Sequence, residues 1–272
     1  LDLPQVHALN CMKAILAEPK LSEATLKYVS QALSLCLDNF QSTLWSMRNC
    51  SIMLFTALQN KLFGKFGKAT SARSFFSKYS GIRESLLDQF LKAANSNTSS
   101  SVENLFLVLT VISKLKQTPG YDGLDAFVPL IVKCLENEKW KVRELAARAL
   151  PGIVQDTNEM VNVLLKPICT NPLLSQNRLH GYLYALKEMK AGGATFDSKT
   201  CDSVYSLCHT CLRSNPCYSS ANEYLNLVRS LGIEDDTTFL DILRCFFVEH
   251  YDDETMYGSK QLLLKDVAEL LL

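Results

Sequence analysis

No run of this sequence approaches the roughly 20 consecutive apolar residues that a membrane-spanning helix requires, and no signal peptide opens it. Net charge is missing too. Its 28 lysines and arginines are matched by 28 aspartates and glutamates, so any attraction to nucleic acid must rest on a local patch rather than the whole molecule. Glycine and proline are scarce, at 11 and 8 of 272 residues, while hydrophobic residues make up 47%. That composition excludes disorder and is enough to bury a large core. There is no convincing apolar–polar alternation and no Asn-Gly or Asp-Gly hairpin signal. Without strands there is no strand-to-helix turn to carry a phosphate loop or a G-x-G-x-x-G fingerprint. The sequence has no H-E-x-x-H, no nucleophile elbow and no catalytic-cysteine signature, and its histidines (His7, His180, His209 and His250) are scattered. The expectation is a chain without an active site.

What is present is helical spacing, almost uninterrupted. Val142, Leu145, Ala146, Ala149, Leu150 and Ile153 fall on one helix face, as do Val102, Leu105, Phe106, Leu109 and Ile112. Short polar breaks at 93–104, 117–123, 190–200 and 250–260 separate such runs, and roughly a dozen helices fit between them. The longest unpatterned piece is Gly64 to Ser80. The segment 127–154 has the shape of a HEAT unit: Pro129 in a first helix, then a turn, then Val142-Arg143 opening a second. Small Ala146 and Ala147 sit where two helix axes would cross. Arg178, 35 residues after Arg143, and Met47-Arg48 repeat that opening. The spacing predicts an all-α fold, an α-solenoid of HEAT- or armadillo-like repeats. The opening in mid-pattern at Leu1 and the ending on "AELLL" suggest part of a longer protein.

The ten cysteines lie mostly within apolar helical patterns. Cys208-x-x-Cys211, with Cys201, His209 and Cys217 nearby, has zinc-ligand spacing but no second tight pair. Val204, Leu207, Cys208, Cys211 and Leu212 form one apolar stripe, so these thiols are expected in the core of a reduced, intracellular, cytoplasmic protein, with no metal. Glu234-Asp235-Asp236 and Asp252-Asp253-Glu254 are expected to cap helix N-termini.

Charge is concentrated in one place. Lys61, Lys65, Lys68, Arg73, Lys78 and Arg83 occur with no carboxylate until Glu84, interleaved with Phe63, Phe66, Phe75, Phe76 and Tyr79. Two readings stand together: a phosphate-neutralising patch, or an inter-helix loop with lysines in solvent and Phe75-Phe76 stapling it down. Arg48, with Asn49, sits at the start of a repeat's second helix. There the expected role is hydrogen bonding to the preceding turn or to a neighbouring repeat's aspartate, and the same role is expected of Arg143 and Arg178.

Three segments, "LPQVHALN" (3–10), "WSMRNCSIMLFTALQNKLFG" (45–64) and "SFFSKY" (74–79), resemble the family of thyroid adenoma-associated protein and its fungal counterparts. The likeness is dense over 3–92 and thin afterwards. It divides the chain into repeats of the family core at 1–93 and further HEAT-like repeats at 94–272. The resemblance implies a non-catalytic regulator of tRNA ribose 2′-O-methylation at nucleotide 32 of the anticodon loop. Its partners would be tRNA and a methyltransferase catalytic subunit, with no membrane involved. No cofactor would be held in this chain, S-adenosylmethionine belonging to the partner enzyme. Arg48, Asn49 and Lys61 carry over as candidate RNA or partner contacts. The family's Arg-Arg-Ser-Ala-Gly stretch is absent from this sequence, so contacts on it cannot be assigned. The rival reading is a protein-binding solenoid adaptor with no RNA role.

Overall fold

The 19-residue helix at Trp45–Phe63 shows how this sequence folds. Met47, Cys50, Ser51, Leu54, Phe55, Leu58, Leu62 and Phe63 recur at helical intervals and are the residues it buries. Gly64 ends it at φ +72°, a conformation that an L side chain resists. The computed structural model describes residues 3–64, 69–95, 99–171, 174–213, 215, 217–232, 237–251 and 258–271. Lys65 and Lys68 lie outside these, as do the two acidic runs expected to cap helices.

Fifteen α-helices occur among the described residues. They are α1 (Pro4–Ala17), α2 (Ser22–Thr25), α3 (Val29–Asn39), α4 (Trp45–Phe63), α5 (Ala72–Lys78), α6 (Ile82–Asn95), α7 (Ser99–Ile112) and α8 (Val128–Cys134). After these come α9 (Trp140–Ile153), α10 (Thr157–Thr170), α11 (Gln176–Ala191), α12 (Ser198–Ser206), α13 (Tyr218–Leu231), α14 (Thr237–Tyr251) and α15 (Ser259–Leu271). The chain is an all-α helical-repeat protein, as the periodicity predicts. No helix among the described residues is long and apolar enough to cross a membrane. One departure is a parallel ladder of two residues per strand, β1 (Thr70–Ser71) beside β2 (Leu115–Lys116). Two residues are too few to show alternation, which is why the sequence gives no sign of it. A second departure is that Gly64–Ser80, which has no visible pattern, contains α5. Ser71 caps that helix by accepting from the Ser74 amide.

The chain forms two compact units, residues 1–131 and 132–272. In the first, α1 and α3 pack on α4, and α6 packs on α3 and α7. Leu33, Leu37, Leu54, Leu58 and Leu86 are fully buried there. A polar chain crosses this core: Asn104 Nδ2 donates to Leu37 O (3.1 Å) and Gln89 Oε1 (2.7 Å), and Gln89 Nε2 donates to Asp38 Oδ1 (3.0 Å). Those bonds tie α3, α6 and α7 together in a set orientation.

In the second unit α9, α11, α13 and α15 stack in succession, with α10 against α11, α12 against α13 and α14 against α15. The stacked helices begin at residues 140, 176, 218 and 259, about 40 residues apart as in helical-repeat arrays. Ala146, Ala147 and Ala149 are buried at the crossing where small residues are expected. A single π turn, His209–Arg213, follows α12. It interrupts the helix expected there, yet Val204, Leu207, Cys208, Cys211 and Leu212 are still buried.

A candidate RNA-facing surface in the N-terminal unit

Arg48 lies in the first turn of α4, three residues after Trp45. Its Nη1 donates back to the carbonyls of Ser42 (2.6 Å) and Thr43 (3.2 Å). Arg143 stands at the same place in α9, three residues after Trp140, and donates to the carbonyls of Asn137 (2.7 Å) and Glu138 (3.0 Å). In both, one guanidinium nitrogen bridges the carbonyls six and five residues back, so the expected turn-clamping role holds for Arg48 and Arg143. Arg178 differs. Helix α11 begins at Gln176, which puts Arg178 one position too early for the clamp. Its Nε instead meets Glu136 Oε1 at 3.0 Å and donates to Tyr182 OH at 3.1 Å, so its acidic partner is a glutamate, not an aspartate.

Of the expected Phe75-Phe76 staple, Phe75 is the buried anchor, while Phe76 is half-buried and edge-on to it at 5.5 Å. Phe75 is buried and stacks on Phe63 with ring centroids 5.4 Å apart, and Tyr79 tilts against it at 5.2 Å. This holds α5 against the C-terminal end of α4, bringing Lys61 and Lys78 into one electrostatic neighbourhood. Burial first, and then the Lys78 charge, hold the Lys61 ammonium below its ordinary pKa. Lys61 Nζ also donates to Ser22 Oγ at 3.4 Å, and Lys78 Nζ lies 5.3 Å from the Tyr79 ring. Asn49 is half-buried on α4.

Arg73 and Arg83 are engaged in structure. Arg73 Nη2 donates to Gly120 O (2.9 Å) and lies over the Tyr121 ring, while Arg83 Nε donates to Gly123 O (2.8 Å). Together with the β1–β2 ladder and the Ser71–Thr118 hydroxyl pair at 2.8 Å, they fasten the 117–123 loop to α5 and α6. Each still has donors to spare. The structure thus separates the sequence's six cations: Lys61 and Lys78 share one neighbourhood, Arg73 and Arg83 clasp a loop, and Lys65 and Lys68 are not described.

Sequence reasoning missed how far the acid-free segment extends. No aspartate or glutamate occurs anywhere in 39–83, against seven cations once Arg48 is counted. Scanning upstream to Asp38 would have found it. In the second unit, by contrast, several cations are held by carboxylates. Glu144 binds Lys141 (2.6 Å) and Arg148 (2.8 Å), and Lys187 pairs with Glu223 (2.8 Å). Arg148 further donates to Tyr184 OH, and Lys187 sits 4.0 Å from that ring's centroid.

Burial pushes Cys208 up to about 11 and Cys211 to about 12, so both are neutral core thiols at neutral pH, as their stripe predicts. His180 is held down at about 4, by burial first and then by the Arg143 and Lys187 charges. Its neutral Nδ1 accepts from Arg143 Nε at 3.3 Å. A histidine depressed below its ordinary value of 6.5 stabilises the fold above that pH. The contribution is eroded as pH falls below 6.5 and is gone once it passes about 4. We expect this acid branch to cost on the order of 2 kcal/mol, and His180→Asn to flatten it, in urea titrations between pH 7 and 4.

The first unit also carries an apolar groove of about 610 Å³ between α1 and α3, lined by Met12, Ile15, Leu21, Tyr28 and Leu35 among others.

Comparison with known proteins gives the family. Residues 48–189 match the family described as "Trm732, C-terminal TPR repeats", and residues 1–46 match "THADA/TRM732, DUF2428". The tRNA (32-2′-O)-methyltransferase regulator trm732 of Schizosaccharomyces pombe is 34% identical over 205 residues, 68% of this chain and 14% of that protein. The regulator THADA of Gallus gallus is 29% identical over 269 residues, 85% of this chain and 14% of the relative. That of Homo sapiens is 33% identical over 205 residues, 66% of this chain and 10% of the relative. The chain therefore spans about a seventh or less of these relatives' length, and on the extent of both matches it belongs to the THADA/Trm732 family.

Proposed function

We propose that this chain is part of a non-catalytic regulator of tRNA 2′-O-ribose methylation at nucleotide 32. In this reading it binds tRNA through the acid-free segment of the N-terminal unit and acts beside a methyltransferase catalytic subunit. The single observation carrying the RNA assignment is the closeness of Lys61 to Lys78 within that segment, where the Lys78 charge adds to burial in holding Lys61 below its ordinary pKa and no carboxylate occurs between residues 39 and 83. A phosphate placed there relieves that repulsion and releases counterions. The names of the relatives support the regulatory role. The stacked helices supply rigidity, so the contribution to catalysis is positioning: holding RNA in one orientation removes freedom that the reaction must otherwise lose. The methyl donor, S-adenosylmethionine, belongs in this reading to the partner enzyme in the cytoplasm.

The test is the double substitution Lys61→Ala/Lys78→Ala. Both side chains lie at helix C-terminal ends, so stability falls by only about 1 kcal/mol. Affinity for tRNA is expected to fall and its log–log salt slope to flatten by roughly 1 to 2. Unchanged affinity and slope in filter binding would remove the assignment. Arg73 and Arg83 are unsuitable for this purpose, because replacing them also frees the 117–123 loop. Association with the methyltransferase that survives nuclease treatment, in a chain that binds no tRNA, would favour the adaptor reading.

A further inference from the structure

The chain's only two tryptophans both begin a helix three residues before a clamping arginine, and both are largely in solvent: Trp45 is 70% and Trp140 59% exposed. Tryptophan is highly buried on average, so two exposed at one repeat position call for a reason. Their surroundings differ. Trp140 has Lys141 Nζ 5.3 Å from its ring and carboxylates at Glu136, Glu138 and Glu144 close in sequence. Trp45 heads a face of α4, formed with positions 49, 52, 53, 56 and 60, that carries no charge: Arg48 is half-buried in its turn clamp, and helical geometry puts Lys61 off this face. Ile52 and Met53 are 43% and 40% exposed, Thr56 and Asn60 are exposed, and Asn49 is half-buried between them. A solvated helix face ordinarily carries charges. This one carries an indole, two amides, a hydroxyl and two apolar side chains, inside a segment with seven cations and no anion.

We propose that this face of α4 seats unpaired nucleotides of an RNA loop, with one base stacked on Trp45. Every base offers a π face, and loops present theirs unstacked, which is how proteins commonly read RNA. Asn49 and Asn60 supply donors and acceptors for base edges, and the backbone phosphates run toward Lys61 and Lys78. Arg48 fixes the platform, since its clamp on Ser42 and Thr43 sets the turn from which Trp45 projects. The charge balance of residues 39–83 favours a polyanion, and the exposed indole favours one that carries unstacked bases. The inference rests on the RNA-binding reading above but assigns a separate contact.

In a Trp140→Phe background Trp45 is the sole tryptophan, and its emission reports stacking directly. An anticodon stem-loop RNA is expected to quench it, and a blunt RNA duplex with the same number of phosphates is not. Trp45→Ala should weaken stem-loop binding roughly tenfold while leaving duplex affinity unchanged, with Trp45→Phe keeping most of it. Circular dichroism of each variant checks the fold, which an exposed ring barely supports. Absence of quenching, or equal loss for both RNAs, overturns the proposal. If Lys61→Ala/Lys78→Ala weakens both RNAs and Trp45→Ala neither, phosphate binding stands and the stacking seat falls; if neither variant weakens either, both fall. Loss of methyltransferase binding in Trp45→Ala, with stem-loop affinity intact, makes this face a protein interface and likewise overturns it.

Discussion

Gly181→Ala is expected to destabilise the C-terminal unit by about 3 kcal/mol, although alanine is the better helix former. A Cβ on Gly181 lands on the carbonyl oxygen of Leu135 and lies 2.8 Å from its carbonyl carbon. The obstacle is backbone rather than the movable end of a side chain, so the substitution is relieved only if α11 or the end of α8 shifts. Helix α11 is packed on both sides, by α9 and by α13, and any shift is transmitted to both neighbours. Overpacking a close-packed core typically costs 1–3 kcal/mol, and the roughly 1 kcal/mol gained in helix propensity offsets part of a cost near the top of that range or above it. Urea unfolding followed by circular dichroism measures this as a lowered midpoint at unchanged slope. A midpoint equal to or above that of the parent would show that the crossing is not as close as described. Gly181 follows Arg178, where the sequence shows an arginine, then a small residue, then an apolar run; the small residue is there for the crossing.

That example marks how far the sequence could be read. Elements with their own periodicity, such as α4 and α9, were legible because a face of buried residues repeats every three or four positions whatever it packs against. The turn clamps of Arg48 and Arg143 were legible for the same reason, since donor and acceptors lie within six residues. Arg178 was not, because a one-residue offset in the start of α11 changes what its side chain can reach. The roles of Arg73 and Arg83 were hidden more deeply: their acceptors lie 47 and 40 residues away, and no local pattern announces such a pairing. The cations of 61–83 therefore looked like one patch in sequence and became several kinds of group in space. Helix α5 escaped notice because seven residues are too few to establish a period, and Trp45 because exposure is a tertiary property.

The matched charges of the second unit bear on function as well as stability. Glu144 is 8% exposed and neutralises two cations at once, and the Lys187–Glu223 pair has side chains only 24% and 14% exposed. Cations so engaged must leave a carboxylate uncompensated before they can meet a phosphate, which costs more than the surface contact returns. Lys61 and Lys78 face no such cost, since no carboxylate occurs within residues 39–83, and the exposed Trp45 stands in the same segment.

Arg143→Ala is expected to cost about 3 kcal/mol, at least twice the loss from Arg48→Ala. The Arg143 residue is only 7% exposed, and its guanidinium serves four acceptors: Asn137 O, Glu138 O, Asn177 Oδ1 at 3.1 Å and His180 Nδ1 at 3.3 Å. Asn177 and His180 belong to α11, so this one side chain closes its own turn and docks the next repeat. Truncation strands these acceptors in a desolvated site, and bonds to a charged donor are worth about 1.5–3 kcal/mol each before relaxation and water entry recover part of the loss. Arg48 is less buried and serves two carbonyls of its own turn, so its removal should cost about 1 kcal/mol. Lysine does not rescue position 143, because a single ammonium cannot span acceptors on two helices. The loss carries a pH signature that mere loosening of the fold lacks. The Arg143 charge helps hold His180 near 4, so without it the histidine titrates closer to 6.5. The acid-side loss of stability between those values then shrinks. Urea midpoints of the parent and Arg143→Ala at pH 7 and pH 4.5 should therefore converge, and a difference that stays constant across that interval would break the link between the clamp and the imidazole.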